Sequence, residues 1–391
     1  MKINDLKSKI NAKLSAKLQK KLIGFRQALH ADPELSNQEF NTQKKIIKEL
    51  KECHVNEIIT VDTGVVAFFK GRDQTLDPIA IRVDIDALPI TESTNLTYAS
   101  KNSGVMHACG HDVHATWGIG VAHCLSETQP LSDVILIFQP AEELATGALS
   151  IIKSNALPHN IAAIFGGHVD RRYTVGEVVC QPGIVSSYSD KFTVTIIGKT
   201  AHAARPNEGQ NPIPKLAELC QFIASLNNQC GDATNLITMT QINGGERHNI
   251  IPNQAFVSGS IRCLDPKKRD RLHQELFKLN DQSSDIHVKV QIQESTPAVI
   301  NAPNMNVMAK AAIANNFDDK SALLLKNPNM ASEDFGYYLE HYPGWYFRFG
   351  AGYKGDEFVP VHTSSFYAED ETIFIGTMVL SECAQLFHQM K

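Results

Sequence analysis

Four apolar runs rich in β-branched and aromatic residues punctuate the first part of the chain: GVVAFFKG, PIAIRVDIDALP, DVILIFQPAEE and AAIFGGHVD. Segments of helical spacing lie between them. In VHATWGIGVAHCL, Val113, Trp117, Val121 and Cys124 fall on one helical face. Buried strands alternating with helices predict an α/β fold, with a central, mostly parallel sheet flanked by helices.

From about residue 187 the period changes. DKFTVTIIGK alternates like a half-buried strand, and NPIPKLAELCQFIASLNNQ has the spacing of a helix. NLITMTQINGG and AFVSGSIRCL read as two more strands across an Asn/Gly/Pro-rich turn. KKRDRLHQELFKLNDQ is a second helix and IHVKVQIQES a fourth strand. The order β-α-β-β-α-β predicts a ferredoxin-like α+β unit. WYFRFGAG, VPVHTSSF and a last helix then resume the first pattern. The expected division is one α/β domain in two parts, residues 1–185 and 298–391, interrupted by an inserted domain over 186–297.

Composition narrows the partners. The 391 residues are 43% hydrophobic and 20% charged, with a formal net charge of −5, the profile of a globular protein. An acidic balance gives no electrostatic reason to expect nucleic acid or an anionic membrane as a partner. The Lys-rich start, MKINDLKSKINAKLSAKLQKKLIGF, is spaced like an amphipathic helix packed on its own domain. It has no continuous apolar stretch of the kind a secretory signal needs. No run is apolar for long enough to span a bilayer. The eight cysteines include no CxxC pair and read as reduced thiols, so a cytoplasmic location is expected.

The densest chemistry lies in MHACGHDVHAT, where His107, Cys109, His111, Asp112 and His114 fall within eight positions. Cys109 and His111, two apart, would diverge on a regular helix. Gly110 between them permits a bend that aims both inward, and Asp112 stands where the N-cap of the next helix would stand. Other segments end in similar groups: Asp84 and Asp86 after IAIRV, Glu142 and Glu143 after VILIF, His168 after AAIF, and His362 in FVPVHTSSF. Open α/β sheets bind ligands at the carboxyl ends of their strands. The convergence points to a metal site at which one adjacent glutamate binds the ion while its neighbour serves as a base. No G-x-S-x-G elbow, P-loop or dinucleotide fingerprint is present, and a Cys/His nucleophile pair would leave Glu142, Glu143, His168 and His362 without a role. A single Cys among His and Glu residues is also unlike a closed structural zinc site.

RVDIDALPI, MHACGHDVHAT, FQPAEE, GGHV, GKTAHAARP, HNIIPNQAFVSGSIR, ASEDFGYYL and VHTSSF occur in this order along the chain. In this the sequence resembles the metal-dependent aminoacylase/carboxypeptidase-type amidohydrolases, in the subgroup of hippurate hydrolase, indoleacetyl-amino-acid hydrolases and N-acetyl-diaminopimelate deacetylase. The resemblance runs from RQALHADPELSNQE to the final helix. It implies a catalytic domain with an inserted lid and dimerisation domain, and two divalent ions per subunit held by Cys109, His111, Glu143, His168 and His362, with Cys109 bridging. The ions would be manganese or zinc, with nickel or cobalt able to substitute. Glu142 would be the general base and then the acid. Asp84 and Asp112 would orient the site, His202 would reach it across a dimer interface to stabilise the oxyanion, and Asn249 and Arg262 would hold substrate. The implied reaction is removal of an N-acyl group from an amino acid by metal-activated water, in a homodimer. A dipeptidase or carboxypeptidase using the same centre, and a non-catalytic metal-dependent binding protein, are the alternatives. Asn207, Asn211, Asp170 and, in RHN, the residues before Asn249 depart from the family pattern.

Overall fold

The computed structural model describes residues 3–230, 234–281, 286–326 and 329–390, apart from the side chains of 228–230. The Cys230 thiol counted from the sequence lies outside the described residues. In chain order the strands are β1 (Glu57–Val61), β2 (Gly64–Phe69), β3 (Ile79–Asp84), β4 (Val134–Gln139), β5 (Ala163–Thr174) and β6 (Val178–Val179). Next come β7 (Tyr188–Ile197), β8 (Asn235–Asn243), β9 (Gln254–Cys263) and β10 (His287–Glu294), then β11 (Ala322–Leu323) and β12 (Gly344–Gly352). The helices used below are α1 (Ala16–His30), α2 (His111–Glu127), α3 (Pro212–Cys230), α4 (Pro266–Phe277) and α5 (Glu371–Leu386).

Two compact units result. The larger comprises Met1–Val185, Ile300–Lys326 and Asp334–Lys391, and the smaller Ser186–Val299 with Asn327–Glu333. The larger is built on one sheet in the order β1-β2-β4-β3-β5-β12-β6-β11. Its central pairs, β4 with β3, β3 with β5 and β5 with β12, are parallel, while β1/β2, β2/β4 and β12/β6 are antiparallel. Every residue of β3 and β4 is buried, which is why β4 reads as an apolar run up to Gln139 and β3 as one broken only by Arg82 and Asp84, rather than as alternating strands.

Helix α2 is buried along nearly its whole length, not on one face alone. It lies against β3 and β4 on one side and α5 on another. A Cβ on Gly120 would come within 2.2 Å of Thr377, and one on Gly376 within 2.4 Å of Trp117. The Trp117 indole N–H donates to the Thr372 carbonyl at 3.0 Å. This close packing holds the start of α2 beside the carboxyl ends of β3 and β4 and the middle of β5. Among the described residues no helix is long and apolar enough to cross a membrane.

The smaller unit has an antiparallel sheet in the order β8-β9-β7-β10, with α3 and α4 contributing to its core through Leu216, Leu219, Ile223, Leu272 and Leu276. This is the ferredoxin-like arrangement expected from the sequence.

Candidate metal centre

Gly110 sets the geometry of the HACGHD stretch. Its backbone is left-handed, with φ of 90°, and a Cβ there would lie 2.4 Å from Val169 Cγ2. The chain therefore turns sharply after Cys109, and α2 begins at His111. Gly110 occupies the cap position, so Asp112 is not the N-cap expected from the sequence. Asp112 sits in the first turn, fully buried, and accepts from Arg26 Nε at 2.7 Å and His30 Nδ1 at 2.8 Å. Two cationic side chains from α1 claim this carboxylate. Burial alone would lower the His30 pKa, but Asp112 and Glu92 raise it to about 9.

His111 is oriented by Asp86. Its Nδ1 lies 3.0 Å from Asp86 Oδ1 and 3.0 Å from the Asp86 carbonyl, so Nδ1 carries the proton. The opposite nitrogen, Nε2, is buried without a hydrogen-bond partner. It stands 3.9 Å from Glu142 Oε2 and 3.9 Å from Glu143 Oε1. The same Asp86 carboxylate accepts the Glu143 backbone N–H at 3.1 Å and the Ser36 hydroxyl at 2.7 Å. One aspartate thus fixes both an imidazole and the loop after β4. In that loop Ala141 has φ of 49° and Ala145 of 53°, so the glutamates occupy a tight turn and not the first turn of a helix.

His168 also departs from expectation: it lies inside β5, not beyond its end. The strand runs on because β12 pairs alongside it, and Gly167 leaves room for Phe349, which a Cβ would meet at 2.5 Å. His168 Nδ1 donates to the Val169 carbonyl at 2.6 Å, leaving Nε2 3.2 Å from the Cys109 sulfur. His362 arrives on a turn rather than a strand, with φ of 62° and its N–H donated to the Ala108 carbonyl at 2.8 Å. Its Nε2 lies 3.4 Å from Glu143 Oε1.

These positions define two groups whose ligand atoms lie within 4.8 Å of one another, Cys109–His111–His168 and Cys109–Glu143–His362, with Cys109 common to both. The donors fit divalent cations. His111 Nε2 and Glu143 Oε1 are both buried without hydrogen-bond partners, a costly state unless a cation completes it. Burial, then the Glu143 and Glu142 carboxylates, push the Cys109 thiol well above its ordinary pKa, so a thiolate there needs a metal cation to hold it ionised.

Asp84 does something other than orient a candidate ligand directly. It accepts from His114 Nδ1 at 2.6 Å and from Arg82 Nη1 at 2.7 Å, while its nearest approach to His111 Nε2 is 3.9 Å. His114 Nε2 in turn accepts the Val169 N–H at 3.0 Å, so both its nitrogens are engaged within the protein. Arg82 further donates to Gln139 Oε1 at 2.9 Å and Asp334 Oδ1 at 2.6 Å, tying β3 to β4 and to the chain before β12. Burial alone would raise the Asp84 carboxyl, but His111, His114 and Arg82 hold it well below the usual range. Asp86, His114, Arg82 and Arg26 carry this architecture. Only the alternation of Asp84 and Asp86 at a strand end, and His114 within the motif, signalled any of it in the sequence.

The remaining expected residues belong to the smaller unit. His202 and Ile250 pair across a short two-stranded ladder, and the Asn249 carbonyl accepts the Ala203 N–H at 3.0 Å, so His202 and Asn249 are neighbours. The Ala204 N–H donates to His202 Nδ1 at 3.1 Å, which leaves Nε2 to act as a donor when the ring is neutral. Arg262 lies on β9 with Nη1 buried and unpartnered. Asn211 caps the start of α3, accepting the Ile213 N–H at 3.1 Å, while Asn207 lies in a short exposed 3₁₀ turn.

A largely parallel sheet presenting Cys, His and Glu groups near its strand ends, with a ferredoxin-like insertion, defines the class of metal-site amidohydrolases. The chain belongs to peptidase family M20/M25/M40, whose family model matches residues 80–386. It is 37% identical over 390 residues to an N-acetyl-L-cysteine deacetylase of Bacillus subtilis, covering 97% of this chain and 91% of that one. It is 30% identical over 371 residues to an N-acetyldiaminopimelate deacetylase of Lactobacillus acidophilus, covering 92% and 95%. Among solved structures it resembles the Bacillus subtilis YXEP protein, described as a dinuclear metal-binding peptidase of the M20 family. The TM-score is 0.82 and the identity 32%, over 96% of this chain and 99% of that one.

Proposed function

We propose that this enzyme removes the acyl group from N-acyl amino acids at a dinuclear centre held by Cys109, His111, Glu143, His168 and His362. The observation that carries the reading is the pair of ligand groups sharing Cys109, with the Glu142 carboxylate 3.9 Å from His111 Nε2. Two divalent cations bound there would supply Lewis acidity, polarising the scissile carbonyl and making water acidic enough to lose a proton near neutral pH. A thiolate among imidazoles and carboxylates suits zinc, and the nitrogen and oxygen donors suit manganese as well.

Glu142 takes the proton of the attacking water and delivers it to the leaving nitrogen. His202, through its Nε2–H, donates to the oxyanion of the tetrahedral intermediate from the inserted unit of a dimer partner. Asn249 helps to hold the substrate. Arg262, with its buried unpartnered Nη1, receives the substrate α-carboxylate. The deacetylase names of the relatives support an acylated amino acid as the substrate. Scattered cysteines without CxxC pairs support a cytoplasmic setting.

The test is amine release from N-acetyl, N-benzoyl and N-succinyl amino acids and simple dipeptides, using protein stripped with chelator and reloaded with Mn²⁺ or Zn²⁺. Metal-dependent cleavage of the acylated compounds is expected. Cleavage of dipeptides alone would replace this reading with a peptidase.

Asp86→Asn tests the support beneath the centre. Losing the carboxylate that sets the His111 tautomer should weaken metal binding by about 10–100-fold, read by calorimetric titration of the stripped protein. Unchanged affinity would show that Asp86 does not position His111 for a metal.

A further inference from the structure

Strands β5 and β12 run parallel with His168 opposite Arg348, so the two side chains stand on the same face of the sheet. Arg348 is only 8% exposed. Its one ion-pair partner among the described residues is Asp170, with Nη1 3.5 Å from Oδ2, too long for a good hydrogen bond. Asp170 is already occupied. The Arg172 backbone N–H and Nε donate to its Oδ1 at 3.0 and 2.9 Å, and Arg172 Nη2 donates to Oδ2 at 2.6 Å. Meanwhile Arg348 Nε is buried with no partner.

Two guanidinium groups therefore share one carboxylate, and one of them makes no hydrogen bond among the described residues. Arginine has five N–H donors and does not shed its proton in a protein, so it cannot escape this position by becoming neutral. A nearly buried cation without an acceptor is costly, and the local balance of two positive charges against one negative leaves room for one more anion. The neighbouring His168 places this cation beside the candidate metal centre.

We infer that Arg348 receives a carboxylate carried by the substrate in addition to its α-carboxylate. The favoured class is N-acyl amino acids with a second acidic group, in either the side chain or the acyl group. The inference rests on the N-acyl amino acid reading, in which Arg262 takes the α-carboxylate.

Two matched pairs test it on the manganese-loaded enzyme: N-acetyl-L-glutamate against N-acetyl-L-glutamine, and N-succinyl-L-leucine against N-butyryl-L-leucine. Wild type should prefer the acidic member of one pair by about 10–100-fold in kcat/KM, the worth of a charge-assisted hydrogen bond. The pair that shows the preference locates the acidic group. Arg348→Met should erase the preference while sparing the neutral member. Arg348→Lys, which keeps the charge without the planar fork, should retain part of it and stands in should the methionine variant fail to fold. A preference that survives in Arg348→Met, an equal loss on both members, or no preference in wild type would overturn the assignment.

Binding without turnover separates the two readings. Calorimetry should show glutarate bound more tightly than its monoamide by wild type, with no such difference in Arg348→Met. That result alongside no cleavage of any acylated amino acid would overturn the proposed reaction and leave Arg348 as a carboxylate site.

Discussion

Glu142→Gln should reduce turnover by about 10²–10⁴-fold, the usual worth of a general base, and leave metal content unchanged. The substitution keeps the shape of the side chain and removes only its ability to take a proton. The loop that carries it is independently anchored: Glu143 N–H is held by Asp86 at 3.1 Å and the Glu142 carbonyl accepts the Ala145 N–H at 2.7 Å. A local collapse of the turn is therefore not expected to mimic the loss. Steady-state rates measured with elemental analysis of bound metal decide the matter. Activity within tenfold of wild type would end the assignment of Glu142 as the base, on the scale expected of general base catalysis. A normal rate constant with depleted metal would make Glu142 a ligand instead.

Arg82→Met should cost about 3–5 kcal/mol of stability, the penalty for breaking a buried ion pair from one side. Arg82, Asp84 and Asp334 are essentially inaccessible, and the guanidinium touches both carboxylates and the Gln139 amide. Without it, two buried carboxylates lose their common cation. Urea denaturation reads the loss, and a change under about 1 kcal/mol, typical of an exposed pair, would show that the network is not stabilising. Adding Asp84→Asn to the variant should recover part of the loss, because one stranded charge is then removed. The effect should also reach the centre, since His114 links Asp84 to the Val169 N–H, next in chain to His168.

Much of the fold was legible because burial writes directly into the sequence. Strand β4 reads as an apolar run and β3 as one broken only by Arg82 and Asp84, and the alternation in β7 marked the change to the insertion. The candidate cluster was legible for a different reason: donors of metal-binding chemistry recur just after apolar segments, although His168 proves to lie within β5 and His362 on a turn. What could not be read was which distant groups meet. Nothing local tells that Arg26 and His30 on α1 take Asp112, or that Asp86 rather than Asp84 holds His111. The left-handed turn at Gly110 moved the helix start by two residues, and so converted an expected cap into a buried ion partner. His168 looked like a residue beyond a strand because two glycines precede it, yet those glycines let Phe335 and Phe349 pack against a strand that continues.

The pairing of β5 with β12 has a consequence for the order in which this protein can come to exist. Residues 163–165 pair on one side with residues 79–81, but the other side of β5 finds its partner only in residues 344–352, with the entire insertion made in between. During synthesis the apolar edge of β5 must wait for most of the remaining chain, and His168 and Arg348 cannot meet until then. Such distant parallel pairings form slowly and leave an unpaired, aggregation-prone edge in the meantime. The centre is thus among the last parts of the molecule to be assembled on the ribosome. Slower synthesis through the insertion would prolong the vulnerable interval rather than relieve it.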